Sequence, residues 1–184
     1  MPNQKSSSKK IKMKFLVYIF TIIIFLIFTS CTNSTEKIEV LVTPAGMQYV
    51  DISSSGMNIN VLVPDSNFGT LDTVLTSFGS YHIKRGKDFQ ISITEDGGTT
   101  VTKKEDNKNA DLLKVKQYII DEPNTLMWES GIADISEFHF FYFAKIGNRT
   151  FVFENLKDES FSKEAIQKML DACKNARLIE KKKE

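Results

Sequence analysis

From residue 37 onward the chain is built of short runs in which apolar and polar side chains alternate, separated by clusters of Gly, Pro, Ser and Asp. Residues 37–43, KIEVLVT, set Ile38, Val40 and Val42 against Glu39, Leu41 and Thr43, the period-two pattern of a half-buried strand. Pro44-Ala45-Gly46 interrupts it, and MQYVDI supplies a second strand. After the turn Ser53-Ser54-Ser55-Gly56, MNINVLV places Met57, Ile59, Val61 and Val63 on one face and stops at Pro64. Residues 64–79 are ambiguous: Leu71, Val74, Leu75 and Phe78 fit one helical turn, while the Gly and Asp content fits an irregular crossing. SYHIK and DFQISIT flank Arg85-Gly86-Lys87 and read as a hairpin, closed by Asp96-Gly97-Gly98. A helix is predicted from about residue 109 to 121, capped by Asn109, buried through Leu112, Val115 and Ile119, and stopped by Pro123. Three strands follow, TLMWES, EFHFFYFAKI and RTFVFE, the last two joined by the hairpin dipeptide Gly147-Asn148. Ser162 caps a final helix reaching about residue 176, with Phe161 and Ile166 placed as a hydrophobic staple. The order strands, helix, strands, helix predicts an α+β fold, an antiparallel sheet packed with about two helices, in a single domain over residues 37–184.

The first thirty residues follow a different pattern. MPNQKSSSKKIKMK carries five lysines and no acidic residue, and residues 15–29 are apolar except for Thr21 and the closing Thr29. That run is shorter than the roughly 20 residues a membrane-crossing helix needs. A positive start, a short apolar core and small residues after it define a secretory signal peptide, with the lysines held on the cytoplasmic side. The end of the run, Phe28-Thr29-Ser30-Cys31, resembles the lipobox of bacterial lipoproteins, with Thr29 and Ser30 as the small residues before the cysteine and Phe28 in place of the usual aliphatic residue. The resemblance implies that residues 1–30 are removed and that Cys31 is acylated with palmitate-type chains. Several chains are needed because one alone holds a protein to a bilayer only weakly. The alternative is an uncleaved N-terminal anchor with an incidental cysteine. TNSTEK then makes residues 31–36 a polar tether. By the same resemblance, Thr32 where inner-membrane lipoproteins carry aspartate implies a bacterial cell-envelope location, at the outer membrane facing the periplasm.

Removal of that leader leaves 154 residues, enough for one core. It takes five of the 24 basic residues, leaving 19 against 23 acidic, a net −4. A nucleic-acid partner calls for a basic domain or stripe, and neither is present. Lys181-Lys182-Lys183 reads as a solvated tail. With Cys31 lipidated, Cys173 is the one remaining thiol. It is either a reactive group or, on the stripe of Phe161, Ile166, Met169 and Leu170, a small buried hydrophobe.

NINVLVPD, the hairpin FFYFAKIGNRTFVFE and the closing FSKEAIQKMLDACK resemble the PsbP-like fold, an α/β sandwich found in an extrinsic photosystem II protein and in small bacterial lipoproteins. The resemblance covers the chain from Met57 onward and implies a binding or assembly module, with no catalytic residue carried over.

Reactive constellations are sparse. Glu137 and His139 lie two apart on a strand and so share a face, but they supply only two corners of a metal site, where zinc takes three or four protein ligands. Asn107, Asn109 and Asp111 imitate the start of a calcium loop but lack its glycine and its terminal glutamate, since Leu112 and Tyr118 stand there. Nucleotide-binding glycine patterns and G-x-S-x-G are not found in the sequence, so no catalytic residue, metal site or cofactor is assigned. The aromatic strand is the remaining feature. Phe138, Phe140 and Tyr142 share one face, and His139, Phe141 and Phe143 the other. Either the strand is central and covered on both faces, or one face, with Trp128, His139, Phe141 and Phe143, is a surface for a partner or ligand. The expectation is a lipid-anchored, non-catalytic binding or assembly module with an envelope-protein partner. The alternatives are a small hydrolase or a pocket for an apolar ligand.

Overall fold

The computed structural model describes residues 43–132 and 134–179; among these are ten strands and two α-helices. The strands are β1 (Met47–Asp51), β2 (Ile59–Pro64), β3 (Leu71–Leu75), β4 (Tyr81–Arg85), β5 (Phe89–Glu95), β6 (Lys114–Glu122), β7 (Thr125–Ile132), β8 (Ile135–Ile146), β9 (Arg149–Asn155) and β10 (Arg177–Leu178), and the helices are α1 (Thr100–Asn109) and α2 (Lys163–Cys173). The protein is α+β, with every pairing antiparallel. Seven strands form one sheet in the order β3-β4-β5-β9-β8-β7-β6, and three form a second in the order β1-β2-β10. The leader, Cys31, the tether at 31–36, residues 37–42 of the first expected strand and the lysine tail lie outside the described residues.

One face of the seven-stranded sheet makes the main core. Ile83, Ile91, Ile93, Phe140, Phe151 and Phe153 point into it and meet Ile59, Val61 and Val63 of β2 and Ile166, Met169 and Leu170 of α2. Each such side chain contributes about 1.5–3 kcal/mol on full burial. The helix α2 is set as its sequence dictates: the Ser162 hydroxyl accepts from Ala165 N–H at 3.2 Å, and Phe161 and Ile166 are both buried. Cys173 closes its apolar stripe and is fully buried, and burial pushes its thiol far up from the ordinary range. Arg85 links the two sheets from inside, donating from Nε to the Pro64 carbonyl at 3.1 Å and from Nη1 to the Gly69 carbonyl at 2.8 Å. The β4–β5 turn requires glycine at Gly86: φ is +62° and a Cβ there would lie 2.3 Å from the Phe68 carbonyl oxygen.

Two expectations are corrected. The helix predicted at 109–121 is instead β6, preceded by α1 at Thr100–Asn109 with Thr99, not Asn109, as its N-cap. Of the three side chains expected to bury that helix, Leu112 is exposed and Val115 and Ile119 are half-buried. The reason is two register shifts in β6, between Val115 and Gln117 and between Tyr118 and Ile120. Each bulge displaces the alternation by one residue, so a period of two takes on the spacing of a helix. The ambiguous stretch at 64–79 resolves into a 3-10 turn at Ser66–Phe68 and the edge strand β3, whose residues 72–75 are exposed.

Helix α1 covers the other face of the sheet without an apolar stripe. The Lys103 ammonium lies 5.5 Å from the Phe141 ring centroid and pairs with Glu154, and that of Lys104 lies 5.3 Å from the Tyr118 ring and pairs with Asp121. The lysine stems serve as the buried face while the charges reach carboxylates at the rim. Thr100 Oγ1 also donates to the Pro123 carbonyl at 2.8 Å. Beneath the helix, Leu126, Trp128, Phe141 and Val152 form a second, smaller cluster, with Val115, Tyr118 and Phe143 packed against it.

Candidate functional site

The registers of β6, β7 and β8 bring Tyr118, Trp128 and His139 into one row across the sheet, with Trp128 directly opposite both of the others. The Trp128 and His139 rings are 5.3 Å apart, tilted by 32°. Of the four residues singled out as a partner or ligand surface, Trp128 and Phe141 are buried and His139 and Phe143 half-buried, and the structure gathers them on the face under α1. The strand that carries them is covered on both faces, since Phe140 enters the main core.

His139 is the centre of a hydrogen-bonded set that draws on three strands. Its Nε2 lies 2.9 Å from Ser130 Oγ on β7, its Nδ1 lies 3.3 Å from Asn155 Nδ2 at the end of β9, and Glu137 Oε2 is 3.8 Å from Nε2. Ser130 and Asn155 were not marked in the sequence; nothing in either local pattern distinguishes them, and only the register of β7, β8 and β9 places them beside His139. Asn155 Oδ1 accepts from Phe140 N–H at 3.0 Å, just where the β8–β9 ladder stops, and Nδ2 donates to the Leu156 carbonyl at 3.0 Å. Glu137 Oε1 in turn accepts from Ser160 Oγ at 2.9 Å.

A serine, a histidine and an asparagine in contact invite comparison with a nucleophilic triad, and the hydrogens decide against it. In a triad the ring nitrogen facing the serine is bare and takes the hydroxyl proton, while the other nitrogen donates to an orienting acceptor. Here the Phe140 N–H fixes the oxygen of Asn155, so its amide N–H₂ must face His139 Nδ1 and donate to it. The neutral ring therefore carries its proton on Nε2 and donates to Ser130 Oγ. Ser130 is also only 1% exposed, out of reach of a substrate. Burial lowers the His139 pKa from its ordinary value, Glu137 partly offsetting this, while Lys157 and Lys103 act with burial. The neutral imidazole is thus the form that the set holds.

The second histidine, His82, lies on β4, separated from His139 by β5 and β9. Among the described residues no group of three or more His, Cys, Asp or Glu side chains is arranged to hold a metal ion. A separate apolar groove of about 350 Å³ lies where the described chain begins, between β1, β2 and the second half of α2. Met47, Leu62, Phe68, Phe89 and Ala172 line it, with Lys168 and Asp171 at its rim. No family model, curated protein or solved structure matches the chain.

Proposed function

We propose that this chain is a lipid-anchored protein of the bacterial cell envelope, held through Cys31, whose α+β domain is a non-catalytic binding or assembly module. The observation that carries the non-catalytic part is the closed His139 set: its one serine–histidine contact is oriented with the proton on the nitrogen a general base would need bare. The anchor rests on the leader, where five lysines, a short apolar run and Thr29-Ser30-Cys31 follow one another. The PsbP-like reading belongs to the same proposal, and an antiparallel sheet closed by a C-terminal helix supports it.

Intact mass of the protein from its native membrane, beside a Cys31→Ala variant, tests the anchor. The expected result is loss of residues 1–30 with added acyl mass in the wild type alone; a full-length, unmodified mass in both overturns it. A second reading, an apolar small molecule in the groove of Phe68 and Phe89, is favoured by its volume, which falls in the range of small-molecule sites. Retention of a lipid-like molecule by the native protein and its loss on Phe89→Ala would support that reading.

A further inference from the structure

Exposed large apolar side chains lie at both ends of the seven-stranded sheet, and the end at which the described chain begins carries four of them. The registers place the starts of β3, β5, β6 and β8 and the finishes of β4, β7 and β9 at one end of the seven-stranded sheet. At that end Phe68, in the turn before β3, is 59% exposed; Leu112, before β6, is 74%; and Ile135, opening β8, is 67%. Leu113 beside Leu112 is exposed as well. The loops are held together rather than left independent. Lys116 Nζ donates to the Ile135 carbonyl at 3.2 Å, Lys114 pairs with Gly131 across the strands, and Lys114 N–H donates to the Leu112 carbonyl at 3.2 Å.

The described chain begins at this same end. Asp65 N–H donates to the Gly46 carbonyl at 2.9 Å, and Gly46 lies against the Phe68 ring. Only eleven residues lie between Cys31 and Thr43, a span of at most about 43 Å even when fully extended. The other exposed apolar side chains, Val74, Leu75, Phe78, Val101 and Leu178, lie towards the opposite end, where β3 turns into β4, α1 begins beside the β6–β7 turn and Leu178 lies against Gly147 of the β8–β9 turn.

We infer that the end of the seven-stranded sheet bearing Leu112, Leu113, Ile135 and Phe68 rests on the bilayer to which the chain is tethered, its apolar side chains entering the interfacial layer. This rests on the reading that the leader ties the chain to a membrane. A tether that leaves from this end keeps its loops close to the bilayer at high effective concentration, so weak individual insertions act together. Charge does not drive the contact. Lys87, Lys114, Lys116 and Lys157 at this end are met by Asp65, Asp88, Asp111, Asp134, Asp158 and Glu159. Attraction is therefore apolar, and contact survives raised salt.

The test uses the full chain reconstituted in phosphatidylcholine vesicles, with tryptophan introduced at exposed positions as Leu112→Trp, Ile135→Trp or Phe78→Trp. The native Trp128 is buried and gives a constant background. In vesicles containing brominated phosphatidylcholine, the added emission of Leu112→Trp and Ile135→Trp is expected to be lost, and that of Phe78→Trp kept, at low and high salt alike. Quenching of Phe78→Trp as strong as that of Leu112→Trp, or no quenching at any of the three, overturns the inference. Mass spectrometry on the same samples separates the two claims. An unacylated Cys31 with Leu112→Trp still quenched removes the lipid and leaves the docked end standing, whereas an acylated Cys31 with Leu112→Trp unquenched removes the docked end alone.

Discussion

Replacing Asn155 by aspartate tests the His139 set most directly, because it changes one donor into an acceptor without changing shape. In the wild type the Asn155 amide donates to Nδ1, and protonating the ring would set an N–H on Nδ1 against it. Burial acts in the same direction and holds the His139 pKa below its ordinary 6.5. Its contribution to stability is therefore whole above about pH 6.5 and is lost as pH falls from there through the lower folded value. Each unit by which folded and unfolded pKa differ is worth about 1.4 kcal/mol. In Asn155→Asp the carboxylate still accepts from Phe140 N–H but now also accepts from a protonated Nδ1, so the His139 pKa rises above that of the unfolded chain. The contribution is then present below about pH 6.5 and lost as pH rises through the folded value. The pH dependence of stability between pH 5 and 8 should reverse its sign. Asn155→Ala gives the complementary magnitude. It leaves the buried Phe140 N–H unpaired, at about 1–3 kcal/mol, and strips the Leu156 carbonyl of a donor, at about 1 kcal/mol more. The expected loss of 2–4 kcal/mol is a large share of a typical domain's stability. Urea unfolding across the pH range, with ¹⁵N shifts of the imidazole to report the tautomer, measures both. An Asp variant whose stability still falls on acidification, with His139 still titrating below 6.5, would refute the argument.

Two further outcomes follow from the same structure. Lys103→Met should keep the apolar cover over Phe141 and lose the two charge contacts of the ammonium, the ion pair with Glu154, about 0–1 kcal/mol, and its attraction to the Phe141 ring, about 0.5–1 kcal/mol, whereas Lys103→Ala should also lose roughly two buried methylenes, about 1.6 kcal/mol more; thermal unfolding of the pair separates packing from charge. Cys173, buried and with its thiol pushed up, should resist thiol reagents in the native state and react only at the rate of unfolding, which timed labelling with and without urea reads directly.

Where one residue's neighbours in sequence are also its neighbours in the fold, the sequence was sufficient. The β4–β5 and β8–β9 hairpins, the strand β2 and the Ser162-capped helix α2 all depend on periodicity and turn residues within about a dozen positions, and each stands where the pattern puts it. The α+β class follows from their order. The helix α1 was illegible because its buried face is made of lysine stems, whose burial exists only once Phe141 and Tyr118 lie beneath them. The strand β6 was misread because its two bulges break the alternation, and a bulge is defined by the partner strand rather than by the residues that form it. The His139 set is the extreme case. Glu137 and His139 were recognisable as a pair on one strand, but Ser130 and Asn155 join them through three strand registers. Whether the ring is a base or a donor was settled by the single backbone N–H of Phe140. Local free energies are written in the sequence; which donor meets which acceptor is decided only when distant strands come together, because a hydrogen bond has a direction and a periodic pattern does not.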